Sequence, residues 1–274
     1  MKRVSLLYIV IIACSAGLNG QYQQHRTMTN NGPGAYSLLH TDVFSFTSNP
    51  AALAQLKNTS AGIAGERRYL LPELNSFTAV AGIPTASGCF GLQIGYTGFS
   101  EYNETGAGLV YGRKLGTKVD AGARFNYYVN RISSYGSTSA ISIGLGTIWH
   151  VTEKLHTGIY INNPAGGKFG KESREKLPSI YTVGFGFDAS DKFYTSIEIE
   201  KEEDQPVNVI AVIQYKFIPQ LFLRVGISSA TSFAWGGAGL LLKSFHVEVM
   251  TSYHPQLGIT PGLLVLFNLN KNGK

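Results

Sequence analysis

The clearest signal in the chain is a regular alternation of apolar and polar residues. In the segment 245–254, FHVEVMTSYH, one set of alternate residues is largely apolar and the other is largely polar. A period of two places the two sets on opposite faces of a β-strand. The pattern therefore predicts a strand with an oily face and a polar face. The oily set is Phe245, Val247, Val249, Thr251 and Tyr253.

Similar segments recur from about residue 59 to the end of the chain. We count about fourteen, each close to ten residues long and bounded by turn signals. Roughly 9–11 residues are what a tilted strand needs to cross a bilayer, whereas strands of globular proteins average about five or six. The segment lengths thus favour an all-β fold, a transmembrane antiparallel β-barrel of about fourteen strands. A soluble β-sandwich also alternates, and it is the alternative interpretation.

The connections between these segments are asymmetric. Those after even-numbered segments are short, such as LGTK at 115–118 and ASDK at 189–192. Those after odd-numbered segments include the longer stretches 67–74, 163–179 and 201–207. Short periplasmic turns and longer outer loops are typical of outer-membrane barrels. We therefore expect both termini on the periplasmic side of the outer membrane of a Gram-negative bacterium.

The N-terminus has the features of an export signal. Lys2 and Arg3 precede the apolar run 4–13, and small residues follow. This arrangement is typical of a secretory signal peptide over residues 1–20, with cleavage before Gln21. The alternative is a lipoprotein signal, because the residues before Cys14 loosely fit a lipidation box.

Composition narrows the function classes. Charged residues make up 15% of the 274 residues, below the roughly 25% of a typical soluble domain. The formal net charge of +6 is scattered and forms no basic cluster, so we expect no nucleic-acid partner. Once Cys14 leaves with the signal, Cys89 is alone and has no partner for an intrachain disulfide. No apolar run reaches the 18 or so residues of a transmembrane helix.

Residues 21–57 differ from the strand region that follows. Pro50 follows Asn49, and Asn at the N-cap with Pro at the first helical position predicts a helix of one or two turns over PAALAQL. So short a helix needs something to pack on. We therefore predict that residues 21–57 form a plug or hatch inside the barrel made by residues 58–274. The predicted plug residues are Asp42, Asn49, Pro50, Ala51, Leu53 and Leu56.

These motifs carry a resemblance to a known family. Asp42 followed by NPAALA at 49–54, together with an N-terminal plug and about fourteen strands, resembles the FadL-type superfamily of outer-membrane fatty acid transporters. The small size and the sequence NNPAGGKFG…LPSIYTVGFGF at 162–187 resemble its Bacteroidetes branch, which includes the PorV- and PorQ-like proteins of type IX secretion. The resemblance implies a hatch that occludes the lumen and hydrophobic cargo, or an accessory role in protein export.

The polar faces of the strands supply the candidate site residues. A lone buried charge is costly, so we expect these residues to pair across strands or to meet water. One interpretation is a rigid salt-bridged interior, and the other is a permeation path or a docking surface for the plug. The predicted lumen-facing residues are Arg124, Asn126, His156, Glu198, Glu200, Arg224, His246 and Glu248.

Two functions follow from this pattern, and catalysis is not one of them. No GxSxG elbow occurs, and the six histidines lack metal-ligand spacing, so we expect no catalytic residue, metal site or cofactor. The first hypothesis is a carrier of small hydrophobic compounds across the outer membrane. The second is an accessory protein that docks a type IX secretion or surface-assembly system through the loop 163–179. Outer-membrane lipid, a hydrophobic ligand and a secretion protein are the candidate partners.

Overall fold

The chain folds as a closed antiparallel barrel of fourteen strands, which confirms the predicted fold class. A computed structural model describes residues 34–169, 176–229 and 233–269. Each strand pairs with the next along the chain, and the last pairs with the first, from Thr59 opposite Leu269 to Glu66 opposite Gly262. The strands are β1 Thr59–Arg67, β2 Asn75–Thr85, β3 Gly88–Gly98, β4 Tyr102–Lys114, β5 Val119–Ile132, β6 Gly136–His150, β7 Leu155–Asn162, β8 Ile180–Asp188, β9 Phe193–Glu202, β10 Asn208–Ile218, β11 Leu221–Ser228, β12 Phe233–Leu242, β13 Phe245–His254 and β14 Gly258–Leu269.

Several predicted features fall outside this description. The signal peptide (1–20), Cys14 within it and the first part of the predicted plug (21–33) lie outside the described residues. So does the segment 170–175 of the loop between β7 and β8.

The two rims of the barrel differ in their connections. Connections after even-numbered strands are tight: the shortest, such as 86–87, have two residues and the longest, such as 115–118, have four. We call this rim the turn end. The opposite rim, the loop end, carries the connections 68–74 and 163–179. Two short 3₁₀ turns, Arg68–Leu70 and Pro72–Leu74, occupy the first of these loops. Short turns at one rim and longer loops at the other are typical of outer-membrane barrels.

The outer surface of the barrel is apolar. Ile63 on β1 is 64% exposed, Leu109 on β4 is 63% exposed and Val249 on β13 is 61% exposed. These side chains belong to a band of outward-facing large apolar residues that continues around the barrel. Soluble monomers do not expose apolar surface on this scale. A closed ladder also leaves no strand edge unpaired, which is what hydrocarbon requires of a spanning sheet. The soluble sandwich is therefore ruled out in favour of a barrel that faces lipid.

Inside, the strands present their other face to the N-terminal segment. On β13 the inward residues His246, Glu248, Met250 and Ser252 are buried, and they alternate with outward residues that are mostly exposed. Residues 34–56, which we call the plug, lie within the turn-end half of the lumen. Their two short 3₁₀ helices are Val43–Thr47 (the first plug helix) and Pro50–Gln55 (the second plug helix).

Candidate functional site

The two plug helices begin at residues whose side chains cap them. Asp42 Oδ1 accepts hydrogen bonds from the backbone N–H of Phe44 at 2.8 Å and of Ser45 at 3.1 Å. Asn49 Oδ1 accepts from Ala51 N at 3.0 Å, and Pro50 occupies the first helical turn. Capping of this kind satisfies backbone donors that a helix start leaves free. The short helix predicted over residues 50–56 is present as a 3₁₀ helix.

Asn49 also fastens the plug to the wall. Its Nδ2 donates to the carbonyl oxygens of Thr147 on β6 at 3.4 Å and Ile159 on β7 at 3.3 Å. One side chain therefore caps the second plug helix and holds it against two strands. This dual use explains why an amide, with a donor as well as an acceptor, suits the position.

Glycines on the lumen face form the seat of the plug. A Cβ added at Gly122 of β5 would fall inside van der Waals contact of the backbone of Pro50 and Ala51. At Gly146 it would meet Asn49, and at Gly184 and Gly186 of β8 it would meet Tyr36. Glycines on the inward face of a strand relieve crowding inside a barrel. The crowding comes from the plug, whose backbone and Tyr36 ring occupy the space that side chains would otherwise fill.

We expect Gly122→Ala to loosen the plug. The added methyl group overpacks a contact with backbone atoms, at a cost of about 1–3 kcal/mol. Deuterium exchange of the peptide that covers Pro50–Gln55 should become faster in the variant. The matched control is Gly95→Ala on β3, where an added Cβ meets only Phe77 O, at 4.0 Å. Equal exchange rates in the two variants would show that Gly122 does not seat the plug.

One side of the lumen is apolar where it faces the plug. Val43, Phe44, Phe46 and Leu53 of the plug are buried in one cluster, and Leu56 packs against its edge. The wall residues of this cluster lie on β1–β4, β10 and β12–β14: Ala64, Val80, Cys89, Val110, Ile210, Val212, Trp235, Met250, Leu264 and Leu266. The alternation predicted polar residues on the lumen face, and it did not predict this apolar surface. The sequence does contain a sign of the apolar surface: residues 263–267 of β14 are all apolar, so the alternation fails there.

Arg124 contacts the plug, and a docking surface for the plug was one of the alternatives for the lumen-facing polar residues. Its guanidinium donates to the carbonyl oxygens of Phe46 and Thr47, the latter at 3.3 Å, and lies 5.7 Å from the centre of the Phe46 ring. These carbonyls lie at the end of the first plug helix, where the helical hydrogen-bond pattern leaves backbone acceptors available. A cation at a helix C-terminus is favourable there. Arg124 thus holds the C-terminal end of the first plug helix.

A second cationic residue, Arg224 on β11, makes the cross-strand ion pair that the sequence led us to expect. Its guanidinium lies 3.0 Å from the fully buried carboxylate of Glu248 on β13, and His246 Nε2 lies 3.6 Å from the same carboxylate. Arg224 also donates to Gln214 Oε1 at 2.8 Å and 3.1 Å. The arrangement compensates a charge that would be costly alone.

Gln214 links this ion pair to the plug residue His40. Gln214 Nε2 lies 3.0 Å from His40 Nδ1, and His40 Nε2 lies 3.2 Å from Ser190 O. An amide nitrogen only donates and a carbonyl only accepts, so His40 is the neutral tautomer with its proton on Nε2. Burial lowers the pKa of His40 below its ordinary value, which keeps the ring neutral.

The most polar contact between plug and barrel is a buried chain of acids and histidines at the turn end. His150 on β6 and His156 on β7 face each other, with their Nδ1 atoms 2.9 Å apart. His150 Nε2 lies 2.9 Å from Asp120 Oδ2, and His156 Nε2 lies 3.1 Å from Asp188 Oδ2. We call these four residues the Asp–His–His–Asp chain. Of these four residues, only His156 was predicted to face the lumen. The tight hairpin between His150 and His156 places both rings on one face, a signal that the sequence contains.

Both ends of the plug are attached to this chain. At the start of the plug, Ser37 Oγ donates to Asp188 Oδ1 at 2.6 Å, and Leu38 N donates to Asp188 Oδ2 at 2.9 Å. At its end, Gln55 Nε2 donates to Asp120 Oδ2 at 2.6 Å. The first and last turns of the plug are therefore held by one continuous polar network.

The remaining predicted lumen residues lie away from this network. Asn126 on β5 donates from Nδ2 to Ser142 Oγ at 3.0 Å, within the wall. Glu198 and Glu200 are buried on the lumen face of β9, toward the loop end. The structure thus brings Arg124, His156 and Arg224 into contact with the plug or its partners, and leaves Asn126 in the wall.

The described parts of the loop between β7 and β8, residues 163–169 and 176–179, fold over the loop end of the lumen. Phe169 is fully buried and packs with Leu177 against Ala140 and Tyr128, two inward residues of the wall. Asn163 orders the loop, since its Nδ2 donates to Leu177 O at 2.6 Å and its Oδ1 accepts from Gly167 N at 2.9 Å. The loop was expected to be a docking surface, but its described apolar side chains turn into the barrel.

Among the described residues, no helix is long and apolar enough to cross a membrane. No family model and no curated protein matches the chain. Solved structures do match it. It is similar to a monoaromatic hydrocarbon channel, CymD, at 11% identity over 89% of this chain and 98% of that chain, with a TM-score of 0.64.

Two further structures have the same likeness. One is the toluene transporter TodX of P. putida, at 11% identity over 84% of this chain and 94% of that chain, with a TM-score of 0.59. The other is a FadL homologue of Pseudomonas aeruginosa, at 11% identity over 83% and 94% of the two chains, with a TM-score of 0.60. The chain therefore has the fold of these outer-membrane channels.

Proposed function

We propose that this protein lies in the outer membrane and carries small hydrophobic compounds across it, with the plug as the movable part. The observation that carries the proposal is the apolar side of the lumen, where Val80, Val110 and Leu264 face the plug residues Phe44 and Leu53. Lumens of water-filled barrels are polar. An apolar wall gives small hydrophobic compounds a surface along which they can move.

Movement of the plug is part of this proposal, because the plug fills the turn-end half of the lumen. Its polar attachments to the wall include side-chain contacts from Ser37, His40, Asn49 and Gln55, together with those of Arg124. The plug is short, and its helices have little stability apart from the wall. Breaking these contacts would free the apolar surface beneath the plug.

The fold shared with hydrocarbon channels supports membership of the FadL-type superfamily, which we propose for this chain. The turn end would face the periplasm, with both termini on that side. Assignment to the PorV- and PorQ-like branch rests only on the small size of the chain and on the sequence of residues 162–187. The docking function was assigned to the loop 163–179, and its described residues Phe169 and Leu177 are buried against the barrel wall, which does not favour that role.

The selectivity of the purified protein tests the proposed function. In lipid vesicles we expect uptake of a radiolabelled monoaromatic hydrocarbon to exceed that of protein-free vesicles, while a disaccharide is not admitted. The control is the same protein boiled before reconstitution. Equal entry of the disaccharide would identify a water-filled pore. Hydrocarbon uptake equal to that of protein-free vesicles would contradict the carrier.

A further inference from the structure

The Asp–His–His–Asp chain has a protonation state that its geometry dictates. Each Nε2 faces a carboxylate oxygen at hydrogen-bond distance, so each Nε2 carries a proton when the carboxylates are ionised. Gln55 Nε2 also lies 3.2 Å from His150 Nε2, but it donates to Asp120 Oδ2 at the shorter distance of 2.6 Å. The two Nδ1 atoms are 2.9 Å apart, and a hydrogen bond between them needs one proton. Two rings therefore share three protons, which makes one imidazolium and one neutral imidazole between two carboxylates.

This arrangement holds at only one proton count. A second proton between the rings would set two N–H groups head to head at a distance where neither has an acceptor. Loss of the shared proton would leave two lone pairs facing each other beside two carboxylates. Either change breaks the contact between His150 and His156, which are both buried. Buried polar groups without partners are costly, so the rings would separate.

We propose that this chain is a proton-sensitive latch for the plug: the plug stays fastened while the two rings share one proton, and uptake of a second proton releases it. The latch acts on both ends of the plug, because Ser37 and Leu38 are bound to Asp188 and Gln55 is bound to Asp120. When the histidine rings separate, the carboxylates of Asp120 and Asp188 move with them. Both attachments of the plug then lose their acceptors at once.

Other titratable groups surround the latch. Cys89 of β3 and Lys114 of β4 lie on the Asp120 side. Tyr194 of β9, Lys216 of β10 and His40 of the plug lie on the Asp188 side. Of these, His40 titrates in the same direction. A proton on its Nδ1 would face the Gln214 amide donor at 3.0 Å, so acid loosens this contact as well.

The sign of the pH dependence follows from these contacts. The pKa of His40 is lowered in the folded state, so its contribution to plug docking is complete above about pH 6.5 and is lost progressively as the pH falls below that value. The second proton of the histidine pair acts in the same direction. Acid therefore favours the released plug through both contacts.

Cys89 is a natural reporter of the release. Its thiol is buried beneath the plug, with Sγ 3.8 Å from Leu56 O. A dipyridyl disulfide reacts with thiols in acid as well as at neutral pH. The rate at Cys89, identified by peptide mass spectrometry, is divided at each pH by the rate for the unfolded protein. Migration before and after boiling confirms at each pH that the barrel is folded.

We expect the normalised rate in the wild type to rise as the pH falls from 7.5 to 5, by up to about tenfold per pH unit for one coupled proton. His150→Asn removes the shared proton and should flatten most of this rise. His254→Gln is the matched control, because His254 lies at the loop end of β13, where its Nδ1 accepts from Gln256 N and Leu257 N. It should keep the wild-type profile.

Two results would overturn the latch. One is a wild-type rate that stays constant over this range while the barrel remains folded. The other is a folded His150→Asn variant with the wild-type pH profile. If that variant does not fold, His40→Gln takes its place: a rise that persists without His40 supports the histidine pair, and a flat profile overturns the latch. The assay follows plug release alone, so it gives the same answer whether or not the barrel carries hydrophobic compounds.

Discussion

Arg224→Met is expected to destabilise the barrel by about 3–5 kcal/mol, the usual cost of leaving one partner of a buried ion pair uncompensated. The carboxylate of Glu248 is fully buried and lies 3.0 Å from the Arg224 guanidinium. Met has a similar length and no charge, so the variant removes the cation without opening a large cavity. The free energy of unfolding, from denaturant titration in lipid vesicles, is the measurement.

The double variant Arg224→Met, Glu248→Leu is the control for this effect. Removal of both charges leaves no uncompensated carboxylate, so the double variant should recover much of the stability that the single variant loses. His246, 3.6 Å from the same carboxylate, is a minor partner. A double variant no more stable than Arg224→Met would show that the loss comes from packing rather than from an unpaired charge.

Val249→Arg is expected to cost about 2–4 kcal/mol, because the side chain would enter hydrocarbon near the middle of the bilayer. Val249 is 61% exposed on the outer face, midway along β13. Tyr135→Arg is the control, since Tyr135 is 89% exposed in the connection between β5 and β6, outside the strands. It should change the free energy of unfolding very little. Equal costs at the two positions would contradict a lipid-facing outer wall.

The barrel itself was accessible to sequence reasoning because its signal is local. Alternation with a period of two is visible within each strand, and the tight turns recur at regular spacing. The capped start of the second plug helix was accessible for the same reason, since Asn49 and Pro50 are adjacent. These features depend on neighbours in the chain, and the structure has fourteen strands in the predicted order.

The plug contacts were less accessible because they join residues far apart in the chain. Arg124 was predicted to face the lumen, but its acceptors are carbonyls of Phe46 and Thr47, which no residue pattern identifies. The role of Gly122 depends on the plug backbone that passes beside it. The apolar side of the lumen was missed because strict alternation was extended to strands such as β14, where it fails.

A reversible lock on the plug is the most direct test of the central claim, that hydrophobic compounds pass when the plug moves. A Cβ built at Gly112 lies 3.0 Å from Leu53 Cβ and 2.8 Å from Ala54 N, so a disulfide with the usual Cβ–Cβ distance of roughly 3.8 Å forms after a small shift of the plug away from β4. The variant Leu53→Cys, Gly112→Cys is made with Cys89→Ala, because Cys89 pairs with Gly112 across the sheet. Uptake of the monoaromatic hydrocarbon into vesicles is measured before and after reduction.

We predict that uptake is lost in the oxidised protein and returns on reduction, while each single-cysteine variant transports under both conditions. Uptake that is the same with the plug locked and unlocked would contradict the account, because the compound would then follow a route that does not require the plug to move.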